Sequence, residues 1–174
     1  MPIRSIIIDD EVHNLENLNR LLSKNCPNID VIAMVSSAKE GIEAIINLQP
    51  DLVFLDIEMP HKNGFDLLES IDHINFEVIF ITAFNKYVLR AIKSCALDYI
   101  MKPVAINELK EAVLRVTKVI SEKKENQKLK DSNIKVLPIK QAENSNHQIL
   151  QVHSSSLFCS FFSIIGLLFL ASVE

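Results

Sequence analysis

Over its first 120 or so residues the chain alternates between two apolar patterns. Short β-branched and apolar runs at Ile3–Ile8, Asp30–Val35, Leu52–Leu55, Glu77–Ile81 and Leu97–Met101 read as five strands. Between them, apolar residues recur at helical spacing. Leu15, Leu18, Leu21 and Leu22 predict a first helix ending near Cys26-Pro27. Ala38, Ile42, Ile45 and Ile46 predict a second through Leu48, with Ser37 as N-cap and Pro50 as stop. Phe65, Leu67, Leu68 and Ile71 mark a third, Tyr87 to Ser94 a short fourth, and Leu109, Val113, Val116 and Ile120 a fifth. Leu52–Leu55 is apolar throughout, the mark of a strand covered on both faces. Strand–helix alternation predicts a doubly wound, five-stranded parallel α/β sheet with helices on both faces. Right-handed crossovers leave few strand orders open.

The polar residues that interrupt this pattern cluster at strand ends. Asp9 and Asp10 follow the first strand, Asp56 the third, Thr82 the fourth and Lys102 the fifth. In such a sheet these ends share one edge, where ligands bind. Three carboxylates there repel one another unless a cation intervenes. A hard divalent ion with oxygen ligands does this, and Mg²⁺ is the usual one in phosphoryl chemistry. Lys102 adds a fixed positive charge and Thr82 a hydroxyl. The set suits a carboxylate that accepts a phosphoryl group.

Composition narrows the field. The net charge of −4 carries no basic footprint for nucleic acid. Cys26, Cys95 and Cys159 are widely spaced and form no CxxC pair, which excludes a zinc ribbon and a disulfide framework. Met1-Pro2-Ile3-Arg4 runs directly into a strand, without a signal-peptide pattern. A flavin- or nucleotide-binding sheet would carry a glycine-rich loop after the first strand, where this chain has Asp9-Asp10-Glu11 and only three glycines in all.

Asp9-Asp10-Glu11, Leu55-Asp56-Ile57-Glu58-Met59-Pro60 with Gly64, Ile81-Thr82-Ala83 and Tyr99-Ile100-Met101-Lys102-Pro103 together resemble the receiver domain of two-component response regulators. The resemblance implies the flavodoxin-like order 2-1-3-4-5, which is known from this family. It implies Asp56 as phosphoacceptor and Mg²⁺ (or Mn²⁺) held by the Asp10 and Asp56 side chains and the Glu58 backbone carbonyl, with Asp9 acting through water. Lys102 would contact a phosphoryl oxygen. Thr82 and Tyr99 would be the switch pair, Glu58 and Phe84 would tune hydrolysis, and Lys102-Pro103 would be a cis bond. The partner would be a sensor histidine kinase, with self-association through the fourth helix, fifth strand and fifth helix, in a bacterial cytoplasm. The domain would store a phosphoryl group and not be an enzyme. An aspartyl phosphatase of the haloacid dehalogenase type is the rival, but that family puts its nucleophile on the first strand in a DxD motif. Phe84 to Ala91 and Ala96-Leu97-Asp98-Tyr99 further resemble receivers of the LytTR class, which carry a DNA-binding domain.

Beyond a receiver at 1–122 the expected organisation is a charged linker or helix extension over 123–137 and an atypical tail over 138–174. Asp131 to Glu174 holds five charged residues, and Leu157–Val173 is uncharged. A spanning helix needs about 20 apolar residues. This segment has 17, interrupted by Ser160, Ser163 and Gly166 and with no basic cluster at its flanks, so a membrane anchor is disfavoured. The tail reads as a truncated or frameshifted output region, with DNA binding only where a complete output domain exists.

Overall fold

The structure is a computed structural model that describes residues 2–83 and 96–134. Its sheet contains β1 (Ile3–Ile8), β2 (Ile29–Val35), β3 (Leu52–Leu55), β4 (Glu77–Thr82) and β5 (Asp98–Met101). All pairs are parallel and the order is 2-1-3-4-5. The helices are α1 (Val12–Asn25), α2 (Ala38–Leu48), α3 (Gly64–Glu69) and α4 (Ile106–Ile134). The helix predicted at 87–94, and the chain from residue 135 on with its apolar segment 157–173, lie outside the described residues, so α4 is the helix predicted as the fifth. Two units divide after Gln127. The first carries the sheet, and of the second the end of α4 is described.

Side chains alternate along each strand, and both faces of the sheet are covered. Ile3, Ile7, Leu52, Phe54, Ile79, Ile81 and Ile100 pack with Leu15, Leu18 and Leu22 of α1 and Leu109, Val113 and Val116 of α4. Their neighbours Ile6, Ile8, Val53, Leu55, Val78 and Phe80 pack with Ala38 and Ile45 of α2 and Phe65, Leu67 and Leu68 of α3. This double cover explains the apolar run at Leu52–Leu55, whose residues are all buried. At the amino edge of the sheet, Lys124 pairs with Asp51 at 2.7 Å and Lys123 with Glu77, tying down the continuation of α4.

Two details correct the sequence pattern, and a third decides between its alternatives. Ile46, predicted to face inward, is 61% exposed. The inner face of α2 is Ala38, Gly41 and Ile45. Gly41 lets Ile8 approach so closely that a Cβ there would lie 2.8 Å from Ile8 Cδ1. Second, α3 stops at Glu69, so Ile71 packs on the core from beyond the helix end. Third, Ser121 to Lys130 is helical throughout, as an uninterrupted extension of α4. Ser37 caps α2 as expected, accepting from the Glu40 N–H at 3.2 Å.

The loop from β3 to α3 turns back tightly. Asn63 and Asp66 form a reciprocal capping box, with the Asn63 oxygen accepting from the Phe65 and Asp66 N–H groups at 2.9 and 3.0 Å. Gly64 donates its N–H to the Ile57 carbonyl at 2.8 Å. A Cβ on Gly64 would collide with the Asp56 carbonyl oxygen and sit 3.2 Å from Ile57 Cα. Both obstacles are backbone, so no side-chain rotation relieves them. Gly64→Ala is therefore expected to destabilise the domain by about 2–3 kcal/mol, read from the shift of its urea unfolding midpoint at constant m-value.

Candidate functional site

Parallel register puts the predicted site residues side by side. Ile8 pairs with Leu55, Leu55 with Phe80 and Thr82 with Met101. Residues just past these positions therefore emerge on one edge. Backbone bonds continue the ladder there: Asp56 N–H donates to the Ile8 carbonyl at 2.9 Å and Lys102 N–H to the Thr82 carbonyl at 2.9 Å. Lys102-Pro103 is cis, as expected.

Three carboxylates meet at this edge. Oxygens of Asp9, Asp10 and Asp56 all lie within 4.8 Å of one another. The Lys102 ammonium stands between two of them, 2.5 Å from Asp56 Oδ2 and 2.7 Å from Asp9 Oδ2. Asp9 and Asp56 are buried, and the other oxygen of each is held as well. Asp56 Oδ1 accepts from the Glu58 N–H at 3.3 Å, and Asp9 Oδ1 from the Glu11 N–H at 3.0 Å. Among the described residues, Asp10 has no cationic partner within ion-pair distance. Thr82 is fully buried, and among the described residues its hydroxyl oxygen has no hydrogen-bond partner. Tyr99 is half-buried against the cluster on the α2–α3 face. Phe84 lies outside the described residues.

One site residue escaped sequence reasoning. Asn14, in the first turns of α1, donates through Nδ2 to Asp9 Oδ1 at 3.1 Å. It also borders a cavity of about 60 Å³ whose lining includes Asp9, Asn17, Leu18, Ile81 and Lys102. A signal was present: Asn14 heads the helical row Asn14, Leu18, Leu22, whose other two members are core residues.

The sequence profile of the response regulator receiver domain matches residues 6–114. The chain belongs to that family. An uncharacterized response regulatory protein of Vibrio cholerae is 41% identical over 115 residues, which are 66% of this chain and 48% of that protein. The transcriptional regulatory protein BtsR of Escherichia coli K12 is 35% identical over 116 residues, covering 66% and 48% respectively. The chain thus spans about half the length of the curated relatives it matches. Among solved structures, the REC domain of AraT, a response regulator from Geobacillus stearothermophilus, superposes with a TM-score of 0.65 at 26% identity, over 71% of this chain and 99% of that one. Among the described residues, no helix is long and apolar enough to cross a membrane.

The electrostatics of this receiver favour a bound divalent cation. Three carboxylates and one ammonium leave two negative charges, which such an ion balances. The donors are all hard oxygens, as Mg²⁺ or Mn²⁺ requires. Burial draws the Lys102 ammonium toward its neutral form, but hydrogen bonds and charge from Asp56 and Asp9 outweigh this and raise its pKa above 10.5. Lys102 therefore stays charged through the neutral range. Asp10 behaves differently. Partial burial, reinforced by the neighbouring carboxylates, lifts its pKa above the ordinary 3.8, although a backbone hydrogen bond opposes this.

A raised carboxyl pKa means that the folded state binds the proton more tightly than the unfolded chain does. The associated stability is present in acid and is lost as pH rises through the folded-state pKa. Asp10→Asn is accordingly expected to stabilise the metal-free protein at neutral pH, with the advantage fading as pH falls and Asp10 takes up its proton. Thermal unfolding across pH measures it. Added Mg²⁺ should raise the midpoint of the wild type and not that of the variant.

Proposed function

We propose that this receiver stores a phosphoryl group on Asp56, delivered by a sensor histidine kinase, and passes the signal on by a change of surface. The observation that carries the reading is the Lys102 ammonium held between Asp56 and Asp9 at the carboxyl edge of the sheet. An Asp56 oxygen would attack the phosphorus of a phosphohistidine in line. The P–N bond would break, with the histidine nitrogen leaving, and an acyl phosphate would form. Asp56 is buried on a rigid strand end, which fixes its attacking oxygen and limits the access of water.

The Asp10 and Asp56 side chains and the Glu58 carbonyl would hold the divalent ion, with Asp9 acting through water; the ion supplies charge neutralisation for the phosphoryl oxygens. Lys102 would exchange its bond to Asp56 for one to a phosphoryl oxygen. Thr82, buried with an unused hydroxyl, would turn to donate to another. That movement frees space beside Tyr99, which packs on the same half of the core. The face built from Tyr99, β5 and α4 would then change, as a local charge event biasing a two-state element. Glu58 and Phe84, each two residues past a site residue, would tune hydrolysis of the acyl phosphate. The domain assists its own phosphorylation without turning over substrate, and self-association would use the face of β5, α4 and the helix predicted at 87–94, which lies outside the described residues.

The parent activity we infer is transcriptional regulation of the LytTR class. Its supports are Ala96-Leu97-Asp98-Tyr99, the segment Phe84 to Ala91 and the relative described as a transcriptional regulatory protein.

With acetyl phosphate and Mg²⁺, the protein is expected to take up about one phosphoryl group per chain, and Asp56→Asn none at a comparable rate. Uptake by Asp56→Asn at the wild-type rate would remove Asp56 from this role, and many turnovers per chain would identify a phosphatase instead. A DNA mobility shift with the phosphorylated 174-residue chain separates a DNA-binding regulator from a stand-alone phosphoacceptor, since only the former retards DNA.

A further inference from the structure

We propose that Asn14 is a positioning residue of the phosphoacceptor site: by holding Asp9 Oδ1, it directs Asp9 Oδ2 at Lys102 and so sets where the ammonium stands relative to Asp56. Its two oxygens divide the work of Asp9. Oδ1 accepts from Asn14 Nδ2 at 3.1 Å and from the Glu11 N–H at 3.0 Å, while Oδ2 takes Lys102 at 2.7 Å. The Glu11 bond is a short-range turn contact, so it restrains the carboxylate from one side. Asn14 comes from the helix itself, which packs on the sheet through Leu15, Leu18 and Leu22. It thereby fixes the carboxylate plane to the rigid core.

The surroundings do not substitute for this bond. A cavity of about 60 Å³ lies beside Asp9, Asn14 and Lys102, so packing alone does not block rotation of the Asp9 carboxylate. Position 14 also heads a row whose next members, Leu18 and Leu22, are buried and apolar. A side chain chosen for packing would be apolar there. An amide fits a position that must donate a hydrogen bond to a buried carboxylate.

The chemical consequence rests on Asp56 accepting the phosphoryl group, whereas the geometric one does not. Both are tested on the full chain with three variants. Asn14→Leu keeps the size and removes the donor. Asn14→Asp keeps the shape and replaces the donor with an acceptor, and it serves if the leucine variant fails to fold. Asn14→Gln keeps the donor, and its extra methylene has room in the adjoining cavity.

The first readout is solvent exchange of the ¹⁵N-labelled Lys102 ammonium, followed by NMR at low temperature without metal. The second is phosphate uptake from acetyl phosphate at saturating Mg²⁺, with thermal unfolding run alongside. Loss of the donor is expected to speed ammonium exchange at least about fivefold and slow maximal uptake roughly tenfold, with half-saturating donor concentration and unfolding midpoint little changed. Asn14→Gln should retain most of both. The proposal is overturned if the donor-less variants match wild type in exchange, or if Asn14→Gln is as impaired as they are. If the wild type takes up no phosphate, the phosphoacceptor reading fails, and the exchange measurement still decides the role of Asn14.

Discussion

The Lys102 ammonium between Asp9 and Asp56 is the contact on which the site depends. Two buried carboxylates a few ångströms apart would otherwise repel each other strongly in surroundings that screen poorly. Desolvation works against the ammonium, yet its two partners keep it charged. Removing Lys102 would leave two buried carboxylates without compensation, which costs far more than the contact itself contributes. The arrangement also remains incomplete: Asp10 adds a further negative charge that Lys102 does not reach. A site that is stable but still negative is suited to take up a cation.

The sheet makes this contact reproducible. Asp9, Asp56 and Lys102 each follow directly on a strand, and Thr82 closes one, so their positions are set by ladder hydrogen bonds shared with neighbouring strands. Both faces are sealed by helices, which leaves the strand ends as the place where polar groups emerge together. Gly64 and the Asn63–Asp66 capping box bring the chain back immediately after Asp56. The turn stays close to the strand end, and the Glu58 N–H remains in reach of the Asp56 carboxylate.

Thr82 closes β4 beside this contact and is buried. Its hydroxyl has no partner among the described residues, which is costly for a buried group, and it gains a hydrogen bond if an acceptor arrives. Tyr99 stands one strand over, half-buried against the α2–α3 side of the core.

Much of this was legible in the chain itself, because its signals are local. Apolar runs and helical spacings located all five strands and the helices at Leu15, Ala38, Phe65 and Leu109. The position of Asp9, Asp10, Asp56, Thr82 and Lys102 at strand ends followed from the same pattern. Other features depended on contacts between distant segments. The outward turn of Ile46 follows from Gly41 admitting Ile8, which spacing within one helix does not reveal. Ile71 reaches the core from beyond the end of α3, a contact that helical spacing does not anticipate. Asn14 looked like one more polar residue near a helix start. Its role became visible only when folding brought α1 against the end of β1 and placed an amide 3.1 Å from Asp9. Sequence by itself determined which residues are offered at the sheet edge, since strand periodicity is a property of the local backbone. Tertiary structure alone decided which of them touch, because a hydrogen bond depends on distances of tenths of an ångström that no single segment controls.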